Sequence, residues 1–210
     1  IFFLMFIGDI TEEVKADVKL FVDDAKVKNK NKNEDDVEAL QSDLDRLYKW
    51  EEDNQMRFNG SKFQLLRYGP DEDIKNGTVY FTGQMENIIE QFSSLRDLGV
   101  TMSDNAKYED HIEKVVKKVR QKIGWILRTF YTRRTDILKT LWKTLVQCHI
   151  DYCSQLYMPG QIKGMQAIEK LFYDFSSKLP DCREENYWRR LEYLNMYSQE
   201  RRMERYRILY

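Results

Sequence analysis

The sequence predicts an α+β fold in which short strands and helices occupy residues 1–100 and helices alone occupy residues 101–210. Apolar residues in the first region alternate with polar ones over short runs, as in half-buried strands. In the second region they recur at helical spacing over longer segments. A chain of 210 residues with 42% hydrophobic residues is long enough to form one domain or two small ones with a core.

The first predicted strand runs from Val18 to Val22 and carries two adjacent carboxylates into a turn, in the sequence Phe21-Val22-Asp23-Asp24. Adjacent aspartates repel each other. A hard divalent cation such as Mg²⁺ would let both stay ionised, because it prefers oxygen ligands. An acidic pair at a hairpin tip is also common as a solvated turn. The pair is therefore either a metal ligand set or a solvated turn.

Further elements follow in order through the first region. The Lys-Asn repeat at residues 28–33 is a polar connection, and apolar residues at helical spacing predict one amphipathic helix over residues 34–56. Acidic residues at its start interact favourably with the helix dipole. Residues 63–68 predict a strand that ends at Gly69-Pro70, and residues 79–81 and 85–89 predict a hairpin.

The next predicted helix carries an apolar stripe from Ile112 to Phe130 and a basic side opposite it, formed by Lys114, Lys117, Lys118, Lys122 and Arg128. Residues 107–147 hold 11 Lys or Arg against 4 Asp or Glu, a net charge of +7 in a chain of net charge −1. A Lys-rich helix face is usually a solvated outer surface. The absence of interleaved Glu on this face after Glu113 favours the alternative, contact with nucleic-acid phosphates.

Three more helices are predicted around residues 137–145, 163–178 and 184–207. The aromatic residues Tyr187, Trp188, Tyr193 and Tyr197 of the last one are expected in the core or in helix–helix contacts, although aromatics interleaved with Arg can also stack on bases.

Cysteine usage favours a reduced intracellular protein, because Cys148, Cys153 and Cys182 are odd in number and form no CxxC pair. A zinc site from these thiols and His149 has a spacing that fits no ordinary zinc module. The apolar residues 1–7 are too few to span a membrane and lack signal-peptide features. We therefore expect a cytoplasmic or nuclear protein that is neither secreted nor membrane-spanning. Residues 1–7 are expected to be a buried helix end of a longer protein.

Almost end to end, the sequence resembles the reverse transcriptase of LINE-type non-LTR retrotransposons, especially the jockey-like group. The segments that carry the resemblance are residues 1–10, Phe21-Val22-Asp23-Asp24, residues 40–50, Gln55-Met56-Arg57-Phe58-Asn59 with Lys62, Asp97-Leu98-Gly99-Val100, Leu145-Val146 with His149, Ile150, Tyr152, Cys153 and Pro159, and Arg190-Leu191 with Leu194-Asn195 and Arg201-Arg202. Each segment is modest, but their order and spacing together are specific.

The resemblance implies the later half of a palm followed by a helical thumb, and RNA-directed DNA synthesis. In that reaction a primer 3′ hydroxyl attacks the α-phosphate of a deoxynucleoside triphosphate with two Mg²⁺ ions at the site. Asp23 would be the principal metal ligand with Asp24 beside it, and Lys62 would protonate or neutralise the leaving pyrophosphate. The alternative for Lys62 is an exposed lysine at a strand start.

The resemblance also implies how nucleic acid is held. The turn Leu98-Gly99-Val100 would be a primer grip, and the basic helix would contact the RNA template and DNA primer.

Several positions depart from the family pattern. The family places another metal-binding aspartate and a Gly-x-Pro-Gln-Gly-Ser-like segment before the region matched by this sequence. Ala25 replaces a usual Thr, and Phe172-Tyr173-Asp174 replaces Gln and two basic residues. We therefore expect a reverse transcriptase fragment that is inactive alone. The alternative is a relic that acts as an unspecific nucleic-acid-binding or protein-interaction helical module.

Overall fold

The computed structural model describes residues 6–12, 14–69, 79–82, 87–157 and 162–209. The described residues contain both helices and short strand pairs, which confirms the predicted α+β class. The chain forms two compact units that divide between Ser93 and Ser94. Most of the predicted N-terminal helix end, residues 1–5, and Pro159 lie outside the described residues.

The first unit alternates short strands with one long helix. In chain order it contains a 3-10 turn at Gly8–Thr11, β1 (Asp17–Phe21), β2 (Asp24–Lys28), α1 (Glu34–Asn54), a 3-10 turn at Gly60–Lys62, β3 (Gln64–Leu66), β4 (Phe81–Thr82), β5 (Asn87–Ile88) and β6 (Glu90–Phe92). Strands β1 and β2 pair antiparallel, as do β4 and β5, so both predicted hairpins are confirmed. Strands β3 and β6 pair in parallel, where the sequence predicts only antiparallel strands.

Helix α1 provides the packing surface for the strands of this unit. The side chain of Asn33 caps its first turn by accepting a hydrogen bond from the Asp36 amide at 3.0 Å. The helix ends at Gln55, whose φ of 53° is left-handed. Its buried face carries Leu44, Leu47 and Trp50, which pack in one core with residues such as Ile10, Val14, Tyr80 and Ile89.

The second unit begins with a hairpin and continues as helices. It contains β7 (Ser94–Asp97), β8 (Val100–Ser103), α2 (Glu109–Thr129), α3 (Thr135–Leu141), a π-helical turn at Trp142–Val146, α4 (Gln147–Asp151), α5 (Ser154–Tyr157), α6 (Ile162–Ser176), a 3-10 turn at Pro180–Cys182, α7 (Tyr187–Leu194) and α8 (Gln199–Leu209). The hairpin that carries the predicted primer grip therefore belongs with the helices.

The π-helical turn joins α3 and α4 into a continuous helical segment. The backbone amide of Gln147 donates to the carbonyl of Trp142, five residues earlier, as a π-helix requires. The same spacing brings their side chains together, because the indole Nε1 of Trp142 donates to Oε1 of Gln147 at 2.8 Å. Nε2 of Gln147 donates in turn to Asp151 and Gln199, each at 2.8 Å. This buried polar network ties α4 to α8.

The single helix predicted over residues 184–207 is wrong, because the chain breaks at Asn195 into α7 and α8. Asn195 adopts a φ of 47°, and its amide and that of Met196 bond back to carbonyls in the last turn of α7. The expected burial of the aromatic residues is also wrong for Trp188, Tyr193 and Tyr197, which are exposed. The buried face of α7 instead carries Arg190, Leu191 and Leu194.

No helix in the described ranges is both long and apolar enough to cross a membrane.

Candidate metal site and nucleic-acid interface

The aspartate pair lies at the tip of the β1–β2 hairpin. Phe21 pairs with Asp24, so Val22 and Asp23 form a two-residue loop and Asp24 is the first residue of β2. Both aspartates are exposed, as is the ring of Phe21. The sequence therefore correctly predicts a strand that delivers two neighbouring carboxylates to a turn.

Val22 makes this turn strained. Its φ is 58°, in the left-handed region that glycine and asparagine tolerate and that β-branched residues avoid. Such a conformation costs about 1–3 kcal/mol and persists where the surrounding structure enforces it. Sequence reasoning missed this feature, because a tight two-residue hairpin loop normally shows Gly, Asn or Asp at such a position.

A buried carboxylate holds the entry to the hairpin. Asp43 on α1 accepts hydrogen bonds from the backbone amides of Lys15, at 3.1 and 3.2 Å, and Ala16, at 2.8 Å. It also pairs with the guanidinium of Arg46 at 2.9 Å, and its own side chain is only 5% exposed. These contacts attach the residues just before β1 to the long helix. Asp43 was not predicted, since a helical aspartate between apolar positions looks like an ordinary surface residue.

The aspartate pair matches Mg²⁺ in ligand type but not in ligand number. Carboxylate oxygens are the ligands that this ion prefers. Among the residues that the structure describes, no group of three or more His, Cys, Asp or Glu side chains is placed to hold a metal ion, and neither Asp23 nor Asp24 has an ion pair. Cys148, Cys153 and Cys182 are free thiols. Among the described residues, the hairpin tip therefore offers two carboxylates to a metal ion, those of Asp23 and Asp24.

Lys62 lies on a different element from the two aspartates. It is exposed at the end of a 3-10 turn that Asn59 caps. Within the described parts of the chain, no hydrogen bond or ion pair joins its ammonium to Asp23 or Asp24.

The predicted primer grip is the two-residue turn of the β7–β8 hairpin. Leu98 and Gly99 have φ values of 43° and 89°, and Val100 is buried at the start of β8. The hydroxyl of Tyr152, after α4, donates to the carbonyl of Leu98 at 2.7 Å. A Cβ on Gly99 would lie 3.2 Å from the Tyr152 ring. Glycine is favoured here by the positive φ, and a Cβ would also require the exposed Tyr152 ring to shift by a few tenths of an ångström.

Helix α2 contacts strand β8 of this hairpin at Thr101. The Thr101 amide donates to Nδ1 of the buried His111 at 3.2 Å, and the Lys114 ammonium donates to the Thr101 hydroxyl at 3.1 Å. Burial, with Lys114 and Arg96 nearby, lowers the pKa of His111, so its ring stays neutral and can accept. Lys114 is therefore engaged with the hairpin rather than wholly available to a ligand.

The remaining predicted cations lie on the outer face of α2. The buried face carries His111, Ile112, Val115, Val116, Val119, Ile123 and Ile126. Lys117, Lys118 and Arg128 are exposed and Lys122 is half-buried. His149 on α4 is close enough to Lys118 and Lys122 that burial and their charges lower its pKa. The predicted amphipathic helix with a basic outer face is thus confirmed, and this face can attract a polyanion.

Comparisons of the chain with protein-family models, with curated proteins and with solved structures found no match.

Proposed function

We propose that this chain is a segment of an RNA-directed DNA polymerase of the LINE type and that Asp23 and Asp24 contribute to its metal site. The observation that carries the proposal is the hairpin tip, where a valine in a left-handed conformation precedes two exposed aspartates that are adjacent in the chain. Strain of this kind persists most often at functional sites, whereas a solvated turn has no need of it. The type of reaction, RNA-directed DNA synthesis, is inferred from the resemblance of the sequence motifs to LINE-type reverse transcriptases.

The chemistry assigned to the site is nucleotidyl transfer. Bound Mg²⁺ would activate the primer hydroxyl and neutralise charge on the triphosphate. The role of this chain is to present Asp23 and Asp24 at the tip of the β1–β2 hairpin, and Asp43 supports that role by anchoring the residues before β1. Because the described residues offer no third carboxylate at this point, we expect weak metal binding from the pair alone.

The experiment is paramagnetic line broadening of backbone amide signals by Mn²⁺, which reports weak sites. We expect millimolar Mn²⁺ to broaden residues 21–26 selectively, Mg²⁺ to compete, and the variant Asp23→Asn with Asp24→Asn to abolish the effect. Glu52→Gln with Asp53→Asn is the matched control, since these are adjacent exposed carboxylates on a helix. Equal broadening at both pairs would mean that the hairpin tip is only a solvated acidic turn.

A second candidate function, nucleic-acid binding without catalysis, is favoured by the exposed basic face of α2. Three to five phosphates contacted on an RNA–DNA duplex predict a slope of log affinity against log salt of roughly −3 to −4. Because Lys114 bonds to Thr101, its replacement would also disturb the β7–β8 hairpin. The better test variant changes Lys117, Lys118 and Lys122 together to Glu, which is about as good a helix former as Lys.

The matched control changes three exposed lysines of the first unit, Lys28, Lys30 and Lys32, to Glu and so alters net charge equally. We expect the α2 variant to lose most of its duplex binding at low salt and the control to lose little. Equal losses in both variants would show that binding depends only on net charge.

A further inference from the structure

Trp125 occupies an unusual position on α2. Its side chain is 44% exposed, although the large apolar side chains nearest to it on the helix, Ile123 and Ile126, are buried. On a helical projection at about 100° per residue, Trp125 points away from the buried stripe and falls between Lys118, Lys122 and Arg128. An indole exposed in the middle of a basic face serves no core and is typical of a recognition residue.

Neighbouring side chains hold the indole in a defined orientation. The Phe130 ring meets it edge to face, with centroids 5.8 Å apart and planes at 90°. The Lys122 ammonium lies 5.7 Å from the ring centroid, within range of a cation–π interaction. The ring is therefore largely positioned before any ligand arrives, which lowers the entropy lost on binding.

We propose that Trp125 stacks against an unpaired base of a single-stranded nucleic acid while Lys118, Lys122 and Arg128 contact the adjacent phosphates. This inference rests on the proposed nucleic-acid binding by α2 and adds the form of the ligand. A flat aromatic surface beside several cations is the common arrangement of single-strand binding sites. Inside a duplex both faces of each base are covered by neighbouring bases, whereas an unpaired base in a single strand offers a free face to the indole.

An anionic membrane is the competing partner for a basic face with a tryptophan. An interfacial helix inserts a wide apolar face between the lipids. The apolar face of α2 is already buried in the core of the second unit. Trp125 is the one large apolar side chain of α2 with high exposure. A single indole offers too little apolar area for this mode, so charge and shape favour the nucleic acid.

The test is fluorescence anisotropy with a labelled oligothymidylate of about 15 nucleotides, long enough to cover one site. We expect Trp125→Ala to weaken binding roughly 5- to 100-fold, the equivalent of losing one stacked base. The slope against salt, roughly −2 for three phosphates of a single strand, should stay unchanged because no charge is lost. Trp125→Phe should recover part of the affinity, and affinity for a blunt duplex should change little.

Trp188→Ala is the matched control, because Trp188 is a 70% exposed tryptophan on α7. Circular dichroism establishes that each variant keeps its helices. Unchanged oligonucleotide affinity in Trp125→Ala would overturn the stacking inference. A salt slope of the same size would in that case still support phosphate contact by the basic face of α2. No salt-dependent binding in the parent would instead refute nucleic-acid binding by α2. If Trp125→Ala lowers binding to phosphatidylserine vesicles but not to the oligonucleotide, the face is a membrane surface and the inference fails.

Discussion

Replacing Asp43 by alanine should loosen the hairpin that carries the aspartate pair. Its carboxylate accepts from two backbone amides, Lys15 and Ala16, and the hydrogen bonds of a charged acceptor contribute about 1.5–3 kcal/mol each. The Arg46 guanidinium is 38% exposed, so its ion pair adds little. Because the two amides share one carboxylate and their contributions overlap, we expect Asp43→Ala to destabilise the first unit by about 3–4 kcal/mol. Asp43→Asn, which keeps one acceptor oxygen, should cost about half as much.

Hydrogen exchange with mass spectrometry can measure this effect locally. A loss of about 3 kcal/mol corresponds to roughly 100-fold faster exchange for amides of β1 and β2 that open with the unit. Asp45→Ala is the control, because Asp45 is exposed on the same helix and, among the described residues, its carboxylate accepts only from Nε2 of Gln41, at 2.9 Å. We expect it to change stability by less than about 0.5 kcal/mol. If Asp43→Ala and Asp45→Ala behave alike, the buried carboxylate does not anchor the hairpin.

Three further outcomes are expected. Because the pKa of His111 is lowered in the folded state, the unfolded state binds the proton more readily, so the free energy of unfolding should be constant above a pH of about 6.5 and decrease below it. Urea titrations across this range should show a weaker decrease for His111→Leu. The same pH dependence in both proteins would contradict this assignment. Gly124→Ala should stabilise α2 by about 0.5–1 kcal/mol, because the new Cβ meets only the flexible end of Arg128 at 3.1 Å; a lower melting temperature would mean that Arg128 cannot move aside. The chain alone should show no primer extension with Mg²⁺ or Mn²⁺ and only weak Mg²⁺ binding by calorimetry. Primer extension that Asp23→Ala abolishes would reveal a complete metal site, and so would Mg²⁺ binding in the low micromolar range.

Local periodicity predicts much of this fold. The alternation from Val18 to Val22 and the long stripe that begins at Ile112 correspond to β1 and α2, because burial of one face determines both patterns. The break at Asn195 was missed because good helix formers such as Leu, Met, Glu and Arg continue on both sides of it, and asparagine only sometimes adopts a left-handed conformation. The parallel pairing of β3 with β6 joins segments more than twenty residues apart, which periodicity does not encode.

The candidate sites divide in the same way. Asp23 and the basic face of α2 were predicted because charge and motif are visible in a linear sequence. The strain at Val22 and the contact between Tyr152 and Leu98 were not, since a backbone dihedral and a contact 54 residues apart depend on the folded chain. Trp125 could have been found from the sequence, because a helical projection alone places it among the lysines rather than with the apolar stripe.

The π-helical turn lets the segment from α3 to α4 carry one residue more than a regular α-helix along the same path. The Trp142 carbonyl accepts from the amide of Gln147, five residues later, where an α-helix would use the fourth residue. Deleting one residue between Trp142 and Val146 would restore the four-residue spacing, so the segment could become a regular α-helix while the residues on either side keep their faces. The fully buried Ile150 would then stay in the core. A deletion within α3 would instead rotate every later residue by about 100° around the helix axis and turn Ile150 out of the core. Related chains should therefore show a one-residue gap in this turn more readily than in the helices on either side of it.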